Sequence, residues 1–495
     1  MLDKKIVNLS ILYTVARYFV LLLGFIRTTF IAISLSKYNM GELVIIYLII
    51  EYASYLFSLG LPNSINLQTS IDKNSFNNIN YTSQIIKKYY SIFFFILFVT
   101  ASIFYMSLYF LSNFYSEHLK EIITNNYNSI FVVILLYSIR AFFNMSNRLW
   151  ERGFNLLCAD IISAIVLLVG MFFVINKNTE NVIGLMLYVM MISQITAIII
   201  SNIKLTSKHI LSFDNKTLKK LLPLGVLLML QNLMELYFWG IDRLFISFYL
   251  NLADLASFHI AHTYGRGLMI FFAALTFLIY PRLITILSSE KTTSKDIVRI
   301  ISKSFLVSEV ILVLAFNFYI IIIPNIMNSL LKKYDDFYYI FSFILLGLII
   351  KSLTYFPVTL LIARKKQKKL ILNSFIFLLI LIFLYNSFYN AEIIKGSEGF
   401  TIIAVIIFLC FSMFIYSWSM YVLNIKKVYS EVFKKFWKII TLFCAVFLCY
   451  YYDVVQFNAN IIITSTILMI YRKNFYDQFK IIKFTALALY KKKIK

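Results

Sequence analysis

Runs of eighteen or more apolar residues recur along nearly the whole of this 495-residue chain. A helix of that length matches the hydrocarbon thickness of a bilayer, where no water is present to satisfy an exposed backbone. The chain must therefore cross a membrane many times as helices, each closing its own N–H and C=O groups. A composition that is 61% hydrophobic and 14% charged excludes a soluble globular fold. Proline (5) and glycine (13) are sparse, and no long soluble insert interrupts the spans. The first span is too long for a cleaved leader and lacks a small-residue cleavage site, so insertion is expected to use that span itself.

The pattern predicts fourteen spans: 8–34, 42–68, 87–112, 127–148, 153–176, 181–204, 219–248, 253–284, 300–326, 335–362, 369–389, 399–423, 436–453 and 457–472. Even-numbered connections and both termini are rich in Lys and Arg, as in Arg364, Lys365, Lys366, Lys368 and Lys369. Odd-numbered connections are poor in cations and carry acids such as Glu117, Glu121, Asp254 and Glu392. About 35 of the 47 cationic residues fall on one side and about 6 on the other, the positive-inside pattern. A multi-pass protein of the inner (cytoplasmic) membrane with both termini cytoplasmic is expected. Topology thus accounts for the net charge of +24. Membrane lipids are the expected partners of the basic surface and nucleic acid is not.

The stretch from Lys219 to Pro281 places many polar groups inside two apolar spans. Gln231, Glu235 and Asp242 fall close together around the first helix, with Asn232 beside them. His259, His262 and Arg266 follow i, i+3, i+7 on the second. A charge at the bilayer centre costs about 2.5–3.5 kcal/mol on the lenient scale, so a lipid-facing helix would not hold several. Two polar faces of this kind predict a cavity lined by Gln231, Asn232, His259 and His262.

The same stretch echoes the chain's beginning. Lys4-Lys5 and the tetrad Gly24-Phe25-Ile26-Arg27 recur as Lys219-Lys220 and Gly240-Ile241-Asp242-Arg243, and the span after each tetrad ends near a proline, Pro62 or Pro281. Read as an internal duplication, this gives an N-lobe over 1–204, a cytoplasmic linker over 205–218 and a C-lobe over 219–430. Two extra helices over 431–472 and a basic cytoplasmic tail over 473–495 follow. Six spans per copy is an even number, so the copies are parallel repeats. The expected fold class is all-α integral membrane, with two six-helix lobes plus two C-terminal helices.

Within the spans the cations are Arg17, Arg27, Arg140, Arg243, Arg266 and Lys351, and the acids are Glu51, Asp160, Glu235, Asp242 and Glu309. Arginine keeps its charge, and its planar fork suits phosphate or carboxylate. The six cations are the candidates for binding an anionic head group, with snorkelling or pairing to an acid as the alternative for each. Asp160 is a candidate ion partner for Arg140, and Asn144 shares a helical face with Arg140. Asp160, Glu235 and Asp242 are candidates for ion coupling or for ion pairs within the cavity.

No phosphate loop, nucleophile elbow or His-Glu-x-x-His pattern is present, so an enzyme is not expected. His259 and His262 have no Cys nearby, and their only flanking acid, Asp254, sits at the span mouth, so neither a metal nor a cofactor is expected. Cys158, Cys410, Cys444 and Cys449 all lie within apolar spans and read as small buried hydrophobes.

The segment GFIRTTFIAISLSKYNMGELVIIYLIIEYASYLFSLGLPNSI resembles the opening of Wzx-type polysaccharide-unit flippases. These belong to the multidrug/oligosaccharidyl-lipid/polysaccharide exporter superfamily. GIDRLFISFYLNLADLASFHIAHTYGRGLMIFFAALTFLIYPRL is similar to the same family's seventh and eighth helices, and FPVTLLIARKKQKKLILNSFIFLLI to its helix 10–11 turn. Two motifs depart from the pattern: Ser257-Phe258 stands where Gly-Tyr is usual, and Lys37-Tyr38-Asn39-Met40-Gly41 replaces the usual glycine-rich turn. The resemblance implies two lobes in a V that open alternately to each side. It implies a cationic cavity for an undecaprenyl-diphosphate-linked oligosaccharide, H+ or Na+ as coupling ion, and a lipid-tail groove near helices 13 and 14. Other polysaccharide assembly proteins are candidate partners. The rival readings are a multidrug or metabolite antiporter on the same fold and, less favoured, a membrane polymerase or glycosyltransferase.

Overall fold

The computed structural model describes residues 4–65, 79–111, 117–149, 153–176, 181–202, 215–265, 329–334, 366–393 and 396–422, with isolated positions between 340 and 361. The described residues are helical apart from turns. The helices are α1 (Lys4–Ser34), α2 (Lys37–Ser58), α3 (Ile79–Leu111), α4 (Glu117–Leu149), α5 (Gly153–Asn176), α6 (Val182–Asn202) and α7 (Asn215–Tyr249). Then come α8 (252–265), α9 (Gln367–Asn390) and α10 (Ser397–Val422). Each overlaps an expected span. The expected spans 300–326, 436–453 and 457–472 lie outside the described residues, as does most of 335–362.

The helix ends differ from the apolar runs for a physical reason. α3 starts at Ile79 and α4 at Glu117, well before the hydrophobic segments they carry. Hydropathy marks the hydrocarbon layer, whereas the helix continues until a cap or break stops it. α2 ends earlier than its apolar run because Leu59 and Gly60 both adopt left-handed backbone, φ 44° and 64°. The Leu59 amide donates to the Leu56 carbonyl and closes the helix there.

Two connections share one construction. Between α1 and α2 lie only Leu35 and Ser36; the Leu35 amide donates to Ile31 O at 2.9 Å, and Ser36 Oγ accepts from the Asn39 amide at 3.1 Å. Between α7 and α8 lie only Leu250 and Asn251; the Leu250 amide donates to Ile246 O at 2.9 Å, and Asn251 Oδ1 accepts from the Asp254 amide at 2.8 Å. Each leucine finishes one helix and each polar residue caps the next.

By packing, the chain forms two compact units, residues 1–259 and 260–495. In the first, α5 packs on α6 and α1, α6 on α4, and α2 on α3, α4 and α7. Fully buried Phe93 of α3 stacks on Phe142 of α4, ring centroids 4.3 Å apart. In the second, α9 packs on α10, with Tyr385 edge-on to Phe400 at 5.1 Å. The outward faces are apolar. On α6, Tyr188, Ile192, Ile195 and Ile199 form one exposed stripe, while Ser193, Gln194, Ala197 and Ser201 are buried opposite. Polar inside and apolar outside is the arrangement a lipid environment selects. Among the described residues, seven helices are long and apolar enough to span a membrane, and this is a multi-pass membrane protein.

α2 and α7 run antiparallel and touch backbone to backbone. A methyl group on Gly60 would collide with Gly225 O and come within 2.8 Å of Met229 N; one on Gly225 would lie 2.7 Å from Leu59 O. At the other end of α2, a methyl on Gly41 would collide with Leu252 O. Glycine at these places lets the two chains approach without a side chain between them.

Candidate functional site

Two polar clusters lie inside the first unit. The first joins α4, α5 and α6. Arg140 on α4 donates through Nη1 to Gln194 Oε1 of α6 at 3.0 Å. Its Nη2 donates to Asp160 Oδ1 of α5 at 2.7 Å and to Ser163 Oγ at 3.1 Å. The Ser163 hydroxyl donates to Asp160 O at 3.1 Å, and that of Ser193 donates to Ser163 O at 2.9 Å. Further along, the Asn147 amide bridges Phe143 O and Ser201 O at 3.1 and 2.9 Å. Arg140 is thus held by acceptors from two neighbouring helices, the satisfaction a membrane-buried charge requires. Asp160, the partner expected from sequence, is in place. Gln194, Ser163 and Ser193 were legible only as lone polar residues in apolar spans.

The second cluster is gathered on α2. Arg243 of α7 faces Glu51 of α2, Nη2 to Oε2 at 3.5 Å, and its side chain is 3% exposed. The guanidinium lies flush against Gly240, with the Tyr52 hydroxyl close by; a methyl on Gly240 would press on Nη2. Nε of Arg243 is buried and has no acceptor among the described residues. Asp242, next in sequence, is also buried. One turn before Glu51, Tyr47 packs near His259 of α8, ring centroids 6.4 Å apart, and sits within electrostatic range of Arg27 of α1. Arg27 is half-buried, and its Nε likewise finds no acceptor among the described residues. α2 thus carries Glu51, which faces Arg243, and one turn earlier Tyr47, which feels the charge of Arg27.

Of the other candidates, Gln231 and Asn232 are half-buried on α7, and His259 and His262 are buried on α8. Arg17 lies on α1 and Glu235 on α7, with side chains outside the described residues; Arg266 and Lys351 lie outside them altogether. Glu51 was identified from sequence as a membrane acid but not assigned to a site. A single acid in an apolar span carries no partner information until a second helix is placed beside it.

Buried Arg243 and half-buried Arg27, each with a donor left unused among the described residues, have the chemistry to hold an anion bearing several oxygens. Among the described residues around them, no nucleophile with an adjacent base is seen.

No functionally curated protein matches the chain in sequence. Among solved structures it is similar to the lipid II flippase MurJ in its inward closed conformation. The two share 16% identity and a TM-score of 0.66, over 95% of this chain and 99% of that one. A Vibrio cholerae MATE transporter follows, with 13% identity and a TM-score of 0.59 over 86% and 98% of the two chains. An outward-facing multidrug resistance MATE family transporter of the MOP superfamily gives 14% identity and a TM-score of 0.59, over 85% and 95%. These likenesses show the fold, and the proteins that share it are transporters and flippases. The family described as polysaccharide biosynthesis protein matches residues 7–287, the region that carries both polar clusters. The resemblance to Wzx-type flippases of the same superfamily agrees with this match. The chain therefore belongs to the polysaccharide biosynthesis protein family and has the all-helical membrane fold of the flippases and MATE transporters.

Proposed function

We propose that this protein is a flippase for an undecaprenyl-diphosphate-linked oligosaccharide. It would work in the inner membrane with both termini cytoplasmic, and its product would feed assembly of an O-antigen-like surface polysaccharide. The observation that carries the reading is half-buried Arg27 and buried Arg243, each with a buried Nε that finds no acceptor among the described residues. A diphosphate supplies the oxygens that such donors lack. Arg17, Arg266 and Lys351 are further candidates for the same anionic head. Gln231, Asn232, His259 and His262 are candidates for lining the path of the sugars. In this reading Arg140 acts as a structural tie through Asp160, and the repeats over 1–204 and 219–430 are the two bodies that swing. Coupling to H+ or Na+ through Glu235 or Asp242 supplies the direction, because a passenger with equal affinity for both states shifts neither.

The test is translocation in proteoliposomes. Purified protein is reconstituted with a fluorescent polyprenyl-diphosphate glycan, and a membrane-impermeant quencher reports which leaflet holds the label. Transfer above that of protein-free vesicles, lost in Arg243→Gln, is expected. Transfer equal to protein-free vesicles across a series of glycans overturns the reading. The fold shared with MATE transporters supports a second reading, an antiporter for drugs or metabolites. A deletion strain that gains drug sensitivity while its surface glycan stays intact would favour that second reading.

A further inference from the structure

Arg140 and Arg243 are satisfied to different degrees, and the difference is informative. Arg140 reaches three acceptors, the nearest at 2.7 Å. Among the described residues Arg243 makes one ion contact, at 3.5 Å, longer than the ~2.7–2.9 Å usual for a charge-assisted bond. Its Nε is buried with no acceptor among the described residues, although only 3% of the side chain reaches the surface. Leaving a buried donor of a charged group unmade is costly, and selection ordinarily removes such a defect. Here the defect sits opposite Glu51, whose side chain is 30% exposed and so has a solvated direction in which to turn.

We infer that Glu51 is a displaceable counter-ion of Arg243. In the resting protein its carboxylate faces Nη2 at 3.5 Å and leaves Nε unfilled. A phosphate or diphosphate enters, takes Nε and Nη2 together, and Glu51 turns to its solvated side. The exchange discriminates by chemistry. A carboxylate ligand would replace like with like and gains little. A tetrahedral phosphate brings a second oxygen in the fork geometry and a larger charge. The inference rests on the proposed anionic passenger and adds to it the residue that sets which anions are admitted.

The experiment is pyrophosphate binding to full-length, detergent-purified protein by isothermal titration calorimetry, with acetate as the carboxylate control. Glu51→Gln keeps the shape and removes the competing charge, so pyrophosphate should bind about five-fold more tightly than to the wild type. Glu51→Asp withdraws the charge by one methylene and should give a smaller gain, which keeps the comparison available if the glutamine variant yields no protein. Adding Arg243→Gln to either variant should abolish the gain, and acetate should bind weakly to all. Pyrophosphate affinity that is unchanged or weaker in both Glu51 variants overturns the inference, as does a gain that survives loss of Arg243. Vesicle translocation separates this from the flippase reading. Translocation without any Glu51 effect removes only the counter-ion. An Arg243-dependent Glu51 effect without translocation removes only the passenger.

Discussion

Asp160 on α5 holds Arg140 on α4 at 2.7 Å, with side chains only 18% and 16% exposed, at a point where α6 adds Gln194 to the same guanidinium. Removing one partner of such a largely enclosed pair strands the other charge. Asp160→Ala should therefore destabilise the protein by about 3–5 kcal/mol. Replacing both partners by apolar residues, as in R140M/D160L, should recover most of that loss. Thermal unfolding in detergent, monitored by tryptophan fluorescence, checks both. A single variant as stable as the double would contradict the pairing.

The two arginine environments predict two different failures. On the proposed flippase reading, Arg27→Gln and Arg243→Gln should lower surface polysaccharide in a complemented deletion strain by about ten-fold or more while protein abundance holds, since they remove donors proposed for the passenger. Arg140→Gln should instead lower abundance, because it dismantles a tie between three helices. Quantitative immunoblotting beside glycan staining separates the classes.

The backbone contact between Gly60 and Gly225 predicts sharp intolerance. Gly225→Ala places a methyl 2.7 Å from Leu59 O, and Gly60→Ala adds left-handed backbone to a collision. Each should cost more than about 2 kcal/mol and reduce the monodisperse peak in fluorescence-detected size exclusion. Gly24→Ala is the internal control: a methyl there meets nothing within 4 Å, and helix propensity favours it by about 0.5–1 kcal/mol.

Asn251 and Ser36 cap α8 and α2 in equivalent fashion. Asn251→Ala and Ser36→Ala should each cost about 1 kcal/mol, read as a small fall in melting temperature, and Asn251→Asp should keep the cap.

Much of this was legible in the chain. The spans that became α1–α10 follow from apolar length alone, because a bilayer leaves the backbone no other solution. Asp160 could be paired with Arg140 because adjacent antiparallel spans bring few ionisable groups into reach. Glu51 and Arg243 could not be paired in the same way. Their contact joins α2 to α7 across 192 positions and depends on glycines at 60 and 225 that allow the helices to meet. The Leu-Ser and Leu-Asn connections were equally hidden, since apolar periodicity says nothing about a two-residue turn. The early end of α2 was obscured for the same reason: Leu59 reads as one more hydrophobe, and only its backbone angle marks the stop.

The glycine seam between α2 and α7 also governs how this sequence can drift. Along the outward stripe of α6, one aliphatic residue can stand in for another, and neutral variants should be plentiful. At Gly60 and Gly225 no larger residue fits, so change there must await a shift of an entire helix. Divergent members of such a family should accordingly vary freely in their lipid coat while the spacing of this one pair of helices stays fixed.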